Sequence, residues 1–188
     1  MVILIGGSSC TGKTLMSQNL LKKYKIPYFS IDNLKMGLYR SNSDCGFVPT
    51  DSNKVIAENL WPIVREMIKT IIENNQSIII EGCYLLPKLI EEFEAKYSSQ
   101  IISLFLGFTT NYIEENFVSK IIKHRSAVET RNYPEERPMT QFIHEHNVLR
   151  KRCIHCGAQY FEIDKDYEEE IKRAYDYIEY EFGRRKQC

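Results

Sequence analysis

The sequence has no charge imbalance: 25 Lys and Arg residues match 25 Asp and Glu residues over 188 positions. It therefore lacks the global basic field that gathers nucleic acid or an anionic membrane, and only a local patch could serve such a partner. No apolar run approaches the roughly 18 residues that span a bilayer. The opening residues 1–7, MVILIGG, lack the basic leader, long apolar core and cleavage site of a secretory signal. There is no internal repeat, low-complexity tract or Pro/Ser-rich linker. The six cysteines, Cys10, Cys45, Cys83, Cys153, Cys156 and Cys188, are scattered, which fits reduced thiols better than a disulfide framework. The expectation is one cytoplasmic domain over residues 1–188, a monomer or homodimer with no nucleic-acid and no membrane partner.

What is present is an alternation of two periodicities. Short runs apolar on both faces, 2–5, 27–31, 77–80 and 100–106, read as fully buried strands, with 159–163 a weaker fifth. Helical stretches lie between and after them at 13–24, 53–75, 86–97, 110–124, 139–155 and 166–182. Pro62 predicts a kink or restart in the second helix. This alternation implies an α/β fold, with a parallel sheet covered by helices on both sides. Two long polar stretches interrupt it, 39–53 and the charged 126–138, and loops of such length often act as lids or binding loops.

Directly behind the first strand stands Gly7-Ser8-Ser9-Cys10-Thr11-Gly12-Lys13-Thr14, a full match to G-x-x-x-x-G-K-[ST]. The glycines let backbone N–H groups turn inward, and the following helix adds its positive end. Lys13 reaches β/γ-phosphates and the Thr14 hydroxyl ligates Mg²⁺ in such loops. The strand–loop–helix setting argues for a nucleotide socket over a plain polar turn. Cys10, inside the loop, is either a tolerated small residue or a thiol activated by the helix end.

A phosphate loop alone does not fix the reaction. No Asn-Lys-x-Asp guanine-selecting tetrad occurs, and the chain is too short for the extra domain of a ring-forming ATPase. Asp32 ends the second strand, where ligands of parallel sheets gather. It suits a general base for an acceptor hydroxyl, and equally a helix N-cap ahead of residues 33–38. Glu81 closes the third strand and suits a water-mediated Mg²⁺ contact or a plain strand-end carboxylate.

Residues 1–40, with "LIGGSSCTGKT", the next helix and "PYFSIDNLKMGL", resemble the opening of P-loop kinases of the nucleoside monophosphate kinase-like superfamily. Within it they are similar to the chloramphenicol phosphotransferase and 2-phosphoglycerate kinase-like branch, which has a GGSS loop and an Asp after strand two. The resemblance implies the P-loop NTPase three-layer fold, a five-stranded parallel sheet of order 2-3-1-4-5, an arginine-bearing lid and ATP-Mg²⁺ as phosphoryl donor. Gly7, Gly12, Lys13 and Thr14 correspond to the phosphate loop, Asp32 to the base, and Glu81 stands where these folds often carry an acid. Adenylate kinases follow strand three with Asp-Gly-Phe-Pro-Arg and strand two with Leu-Arg. Here the segments read Glu81-Gly82-Cys83-Tyr84 and Leu34-Lys35, which argues against a nucleoside monophosphate acceptor.

Lys120, Lys123, His124, Arg125, Arg131, Arg137, Arg150, Lys151 and Arg152 crowd the 126–138 loop and its flanks. The cluster reads as a lid over the transferring phosphoryl group, with Arg125 and Arg131 the first choices; singly, each arginine reads as a solvated surface charge. The 39–53 loop should border the acceptor, with Lys35 and Arg40 as substrate contacts and Arg40 suited to a carboxylate or phosphate. Tyr39, Phe47 and Trp61 either line that pocket or pack the loop down. Cys153-Ile154-His155-Cys156-Gly157 resembles half a zinc knuckle but lacks a second pair, and reads better as a helix end capped by Gly157. His144 and His146, two apart on a helix, cannot share a face. The function expected is an ATP-dependent small-molecule kinase acting on an acceptor hydroxyl or phosphate. The alternatives are a nucleoside or nucleotide kinase and a regulatory nucleotide-binding ATPase.

Overall fold

The buried apolar runs assemble into one parallel sheet in the computed structural model, which describes residues 1–42, 44–128, 130 and 137–186. In chain order the elements are β1 (Val2–Gly7), α1 (Lys13–Tyr24), β2 (Tyr28–Ser30), α2 (Ile31–Ser41), α3 (Asn53–Glu73), β3 (Ile78–Glu81), α4 (Pro87–Ile90) and α5 (Ala95–Ser98). They continue with β4 (Ile101–Phe108), α6 (Thr110–Asn116), a π-helical stretch Phe117–Ile122, α7 (Met139–His155), β5 (Tyr160–Ile163), α8 (Tyr167–Glu170) and α9 (Lys172–Lys186). The strand order is β2-β3-β1-β4-β5, as expected.

Because side chains alternate along a strand, β1 feeds two cores. Val2 and Leu4 face α3 and the α4–α5 segment, in a cluster with Leu60, Trp61, Val64, Phe93 and Tyr97. Ile3 and Ile5 face α1 and α9, in a cluster with Met16, Leu20, Ala174 and Ile178. Leu4 lies opposite Ile80 of β3 and Ser103 of β4, at the centre of the sheet.

Several boundaries differ from expectation. α3 runs through Pro62 without a restart. The proline lies on the exposed face, so the Glu58 carbonyl that loses its helical partner faces water. The expected helix 86–97 is two separate turns, α4 and α5, because Glu94 is extended (φ −59°, ψ 155°). That break lets Phe93 and Tyr97 turn inward, with Phe93 edge-on to Trp61 at 5.5 Å. α2 takes the start of the expected 39–53 loop, and the described residues 42 and 44–52 form the connection to α3. Phe47 and Trp61 are core residues that pin this connection down, whereas Tyr39 is exposed. α7 ends in a Schellman arrangement: Ala158 N–H donates to Cys153 O at 2.9 Å, Gly157 N–H donates to Ile154 O at 3.2 Å, and Gly157 has φ 58°. Cys153 is buried in the core, and burial pushes its thiol up to about 12.

Leu4→Ala opens a void between two packed strands and α3. Urea unfolding should show a loss of about 2–5 kcal/mol with an unchanged m-value. A loss below about 1 kcal/mol would mean that β1 is not the packed centre of the sheet.

Candidate active site

Residues 8–12 turn over the carboxyl end of β1. Gly7 (φ 145°) and Gly12 (φ 85°) hold backbone conformations that side chains resist. A Cβ on Gly7 would stand 2.6 Å from the Leu106 carbonyl oxygen, and one on Gly12 would run into the Tyr167 hydroxyl. Inside the turn the Ser8 carbonyl accepts from Thr11 Oγ1 at 2.9 Å and from Lys13 Nζ at 2.7 Å. α1 starts at Lys13 with no side-chain cap and no acidic residue in its first turn. Its first N–H groups are thus left for an anion.

The sheet order brings the sequence candidates to one flank of this turn. Thr14 Oγ1 donates to Glu81 Oε1 at 3.2 Å, joining the start of α1 to the end of β3. Glu81 is 2 % exposed. Burial raises its pKa, against the opposing pull of Lys13. Lys13 is buried too: desolvation alone would lower its ammonium, but Cys83, Glu81 and Asp32 outweigh it and hold it above the ordinary value. Asp32 lies inside the first turn of α2, behind Ser30 at the cap position. It accepts from Lys35 Nζ at 3.0 Å, and the same ammonium donates to the Tyr84 hydroxyl at 2.7 Å. Arg40 stands apart, exposed in the last turn of α2.

On the other flank, β4, α6 and α8 enclose a cavity of about 350 Å³ beside Cys10, Gly12, Lys13 and Thr14. Its aromatic wall is built from Phe108, Tyr112 and Tyr167. Phe108 stacks on Tyr112 at 4.8 Å and on His146 at 5.3 Å. Tyr167 is held in place by Glu170, whose carboxylate accepts from the backbone N–H groups of Asp164, Lys165 and Asp166 at 2.8–3.1 Å. Lys120, His124 and Arg125 border the same cavity. Arg131 and most of the 126–138 segment lie outside the described residues.

Sequence reasoning undervalued Arg137, which was one of nine basic residues in a charged stretch. Its Nη1 donates to Ser9 Oγ and to Glu145 Oε2, both at 3.2 Å, and its guanidinium lies 4.4 Å from the centre of the Phe142 ring. Ser9 Oγ is also 3.9 Å from Cys83 Sγ, so Ser9 links Arg137 to the segment after β3. Tyr84, Tyr167 and Glu170 were missed altogether. The only local signal for the last two was a polar turn ending in Asp166, which caps α8 by accepting from Glu169 N–H at 2.9 Å. Among the described residues no group of three His, Cys, Asp or Glu side chains converges as a metal site. The Thr14 hydroxyl and the Glu81 carboxylate are the hard oxygen donors that suit Mg²⁺ shared with phosphate.

Strand order and phosphate loop together define a P-loop kinase fold. The solved structures it resembles include a gluconokinase from Sinorhizobium meliloti 1021, at TM-score 0.58 and 13 % identity over 92 % of this chain and 88 % of that one. They also include shikimate kinase from Aquifex aeolicus, at TM-score 0.54 and 14 % identity over 95 % of this chain and 96 % of that one. A sugar kinase from Janibacter sp. HTCC2649 aligns at TM-score 0.51 and 14 % identity over 95 % and 94 %. No protein-family model matches the chain, and no curated protein matches it in sequence. No described helix is long and apolar enough to cross a membrane.

His146 is 2 % exposed, and its Nδ1 accepts from the Phe108 N–H at 2.8 Å. Burial, with the charges of Lys13 and Arg137 nearby, lowers its pKa from 6.5 to about 3. The unfolded chain therefore takes up this proton first as pH falls. The stability contributed by neutral His146 is complete above pH 6.5 and is lost through the window from 6.5 towards 3. Asn in its place keeps an oxygen acceptor but does not titrate. His146→Asn should remove about 2 kcal/mol of the stability that wild type loses between pH 7 and pH 4.5. Parallel pH-stability curves for the two proteins would refute a buried neutral imidazole.

Proposed function

We propose that the chain, residues 1–188 as one catalytic unit, is an ATP-dependent kinase that phosphorylates a hydroxyl of a small molecule. The observation that carries this reading is the convergence of Lys13, Thr14, Glu81 and Asp32 at the end of the phosphate loop. The triphosphate lies along the loop N–H groups, with the base in the aromatic cavity and the γ-phosphate beside Lys13. Mg²⁺, when bound, neutralises charge on the β- and γ-phosphates; Thr14 is placed to hold it directly and Glu81 through water. Asp32 orients the acceptor hydroxyl and takes its proton. The acceptor oxygen bonds to the γ-phosphorus, the bond to the β-phosphate oxygen breaks, and ADP leaves. Arg137 and Arg125, with Arg131 from the 126–138 lid, supply positive charge to the transferring group. The opening motif, similar to the chloramphenicol phosphotransferase and 2-phosphoglycerate kinase-like branch, supports an acceptor other than a nucleoside monophosphate. Lys35 beside Asp32 supports the same conclusion, since it lacks arginine's bidentate grip on phosphate.

Two variants test the reading. Lys13→Ala should abolish measurable ATP binding by calorimetry while the circular dichroism spectrum stays native. Asp32→Asn should lower acceptor-dependent ADP release by about 10²–10⁴-fold and leave ATP affinity nearly unchanged. Wild-type ATP affinity in the first variant, or lost ATP affinity with preserved turnover in the second, rules out these roles.

A further inference from the structure

Lys120 and His124 reach the aromatic cavity through an irregular turn. The chain is α-helical from Thr110 to Asn116 and π-helical from Phe117 to Ile122. Side chains pin both ends of that turn. Asn116 Nδ2 donates to the Tyr112 carbonyl at 3.0 Å. The Lys120 carbonyl accepts from the His124 backbone N–H at 3.0 Å and from the His124 ring Nδ1–H at 2.8 Å. Between the two ends Ile121 is buried, Phe117 stands edge-on to Phe142 at 5.1 Å, and Val118 is 74 % exposed. We infer that the π turn is a register element of the nucleotide site: by taking up one residue more than an α turn, it directs Lys120, and not Lys123, at the bound nucleotide. The inference rests on the kinase reading above.

The argument is one of angular spacing. An α-helix turns by about 100° per residue. In an unbroken helix Lys120, eight residues beyond Tyr112, stands about 80° round from it. Lys123, eleven residues beyond, stands only about 20° round and would share the face of Tyr112. A π turn closes its hydrogen bonds on the fifth residue instead of the fourth. It thus absorbs the rotation of one residue, which brings Lys120 to within about 20° of Tyr112 and carries Lys123 to about 80°. The contacts follow the second register. Lys120 Nζ lies 5.8 Å from the centre of the Tyr112 ring, and Lys120 and His124 line the cavity together with Tyr112. Lys123 is exposed and stands outside the lining. Lys13 and Thr14 line the same cavity, so an ammonium there acts on the phosphate-bearing ligand that they hold. An irregular turn of this kind has poorer hydrogen bonds than an α-helix and recurs at functional sites.

The experiment measures ATP binding to the full chain by calorimetry, with circular dichroism to check folding. Lys120→Ala should weaken ATP by about fivefold, and Lys120→Arg should restore most of the loss. Lys123→Ala should weaken it by less than about twofold. Deletion of Val118 removes the residue that the turn absorbs. The shortened segment fits an α-helix with Lys120 seven residues beyond Tyr112, so in that background Lys120→Ala should still cause the loss. A segment that is α-helical in the full-length protein behaves differently: the loss follows Lys123→Ala and passes to Lys120→Ala only after the deletion. That pattern, or unchanged ATP affinity in a folded Lys120→Ala protein, overturns the inference. If the deleted chain does not fold, the Lys120 and Lys123 variants alone decide between the two registers. Absence of ATP binding by the wild type counts instead against the kinase reading.

Discussion

The buried ammonium of Lys13 is the constraint around which the site is arranged. An ammonium removed from water is expensive unless it is hydrogen-bonded and opposed by negative charge. Its partners come from three parts of the sheet. The Ser8 carbonyl belongs to the turn after β1, Glu81 and Cys83 to the end of β3, and Asp32 to the junction of β2 and α2. Only a sheet in which these strands are neighbours, in the order β2-β3-β1, can bring all three to one point. The fold and the electrostatics of the site are therefore one requirement. The glycines at 7 and 12 serve it by letting the chain reverse tightly enough for Lys13 to fold back on Ser8.

The two flanks of the phosphate loop are chemically unlike. Towards β3 it meets ion pairs and hydroxyls, and towards β4 and β5 a stack of aromatic rings. β4 is buried on both faces and ends in Phe108, so its last side chain can enter the aromatic stack while its N–H is satisfied by His146. Glu170 does the equivalent work beyond β5. Three backbone N–H groups fix its carboxylate below the ordinary carboxylate range despite the opposing effect of burial. The loop it orders brings Tyr167 against Gly12. An apolar flat ligand part suits the aromatic flank and a polar one the flank of ion pairs and hydroxyls.

Much of this was legible in the sequence because it depends on local rules. Strands buried on both faces show as unbroken apolar runs, and the phosphate loop follows from its spacing. Glu81, closing β3, and Asp32, in the first turn of the helix that follows β2, stand out because strand ends in a parallel sheet converge on one edge. What stayed hidden depends on contacts distant in sequence. Residues 86–97 have helical spacing, yet the need to turn Phe93 and Tyr97 into the core next to Trp61 breaks the helix at Glu94. The segment 110–124 has helical spacing too, and nothing local announces its π-helical turn at Phe117–Ile122. Arg137 was indistinguishable from its basic neighbours, because its role follows from Ser9, 128 positions away. Tyr84 and Tyr167 carry no motif; their value comes from Lys35 and Gly12.

Two of the helices that start without a side-chain cap meet at the phosphate loop. α1 and α7 both begin with no side-chain cap and no acidic residue in the first turn, and each has a cation at its start, Lys13 in α1 and Arg137 just ahead of α7. Positive charge at a helix N-terminus is unfavourable, because the macrodipole already presents its positive end there. Both starts meet at the phosphate loop, since Arg137 bonds to Ser9 and Lys13 to Ser8. Glu81 and Asp32 oppose the charge of Lys13, and Glu145 that of Arg137; the uncapped N–H groups of the two helix starts would favour an anion placed between them. On the kinase reading proposed above, that anion is the triphosphate, whose phosphates would meet the helix starts while Asp32 stays bonded to Lys35.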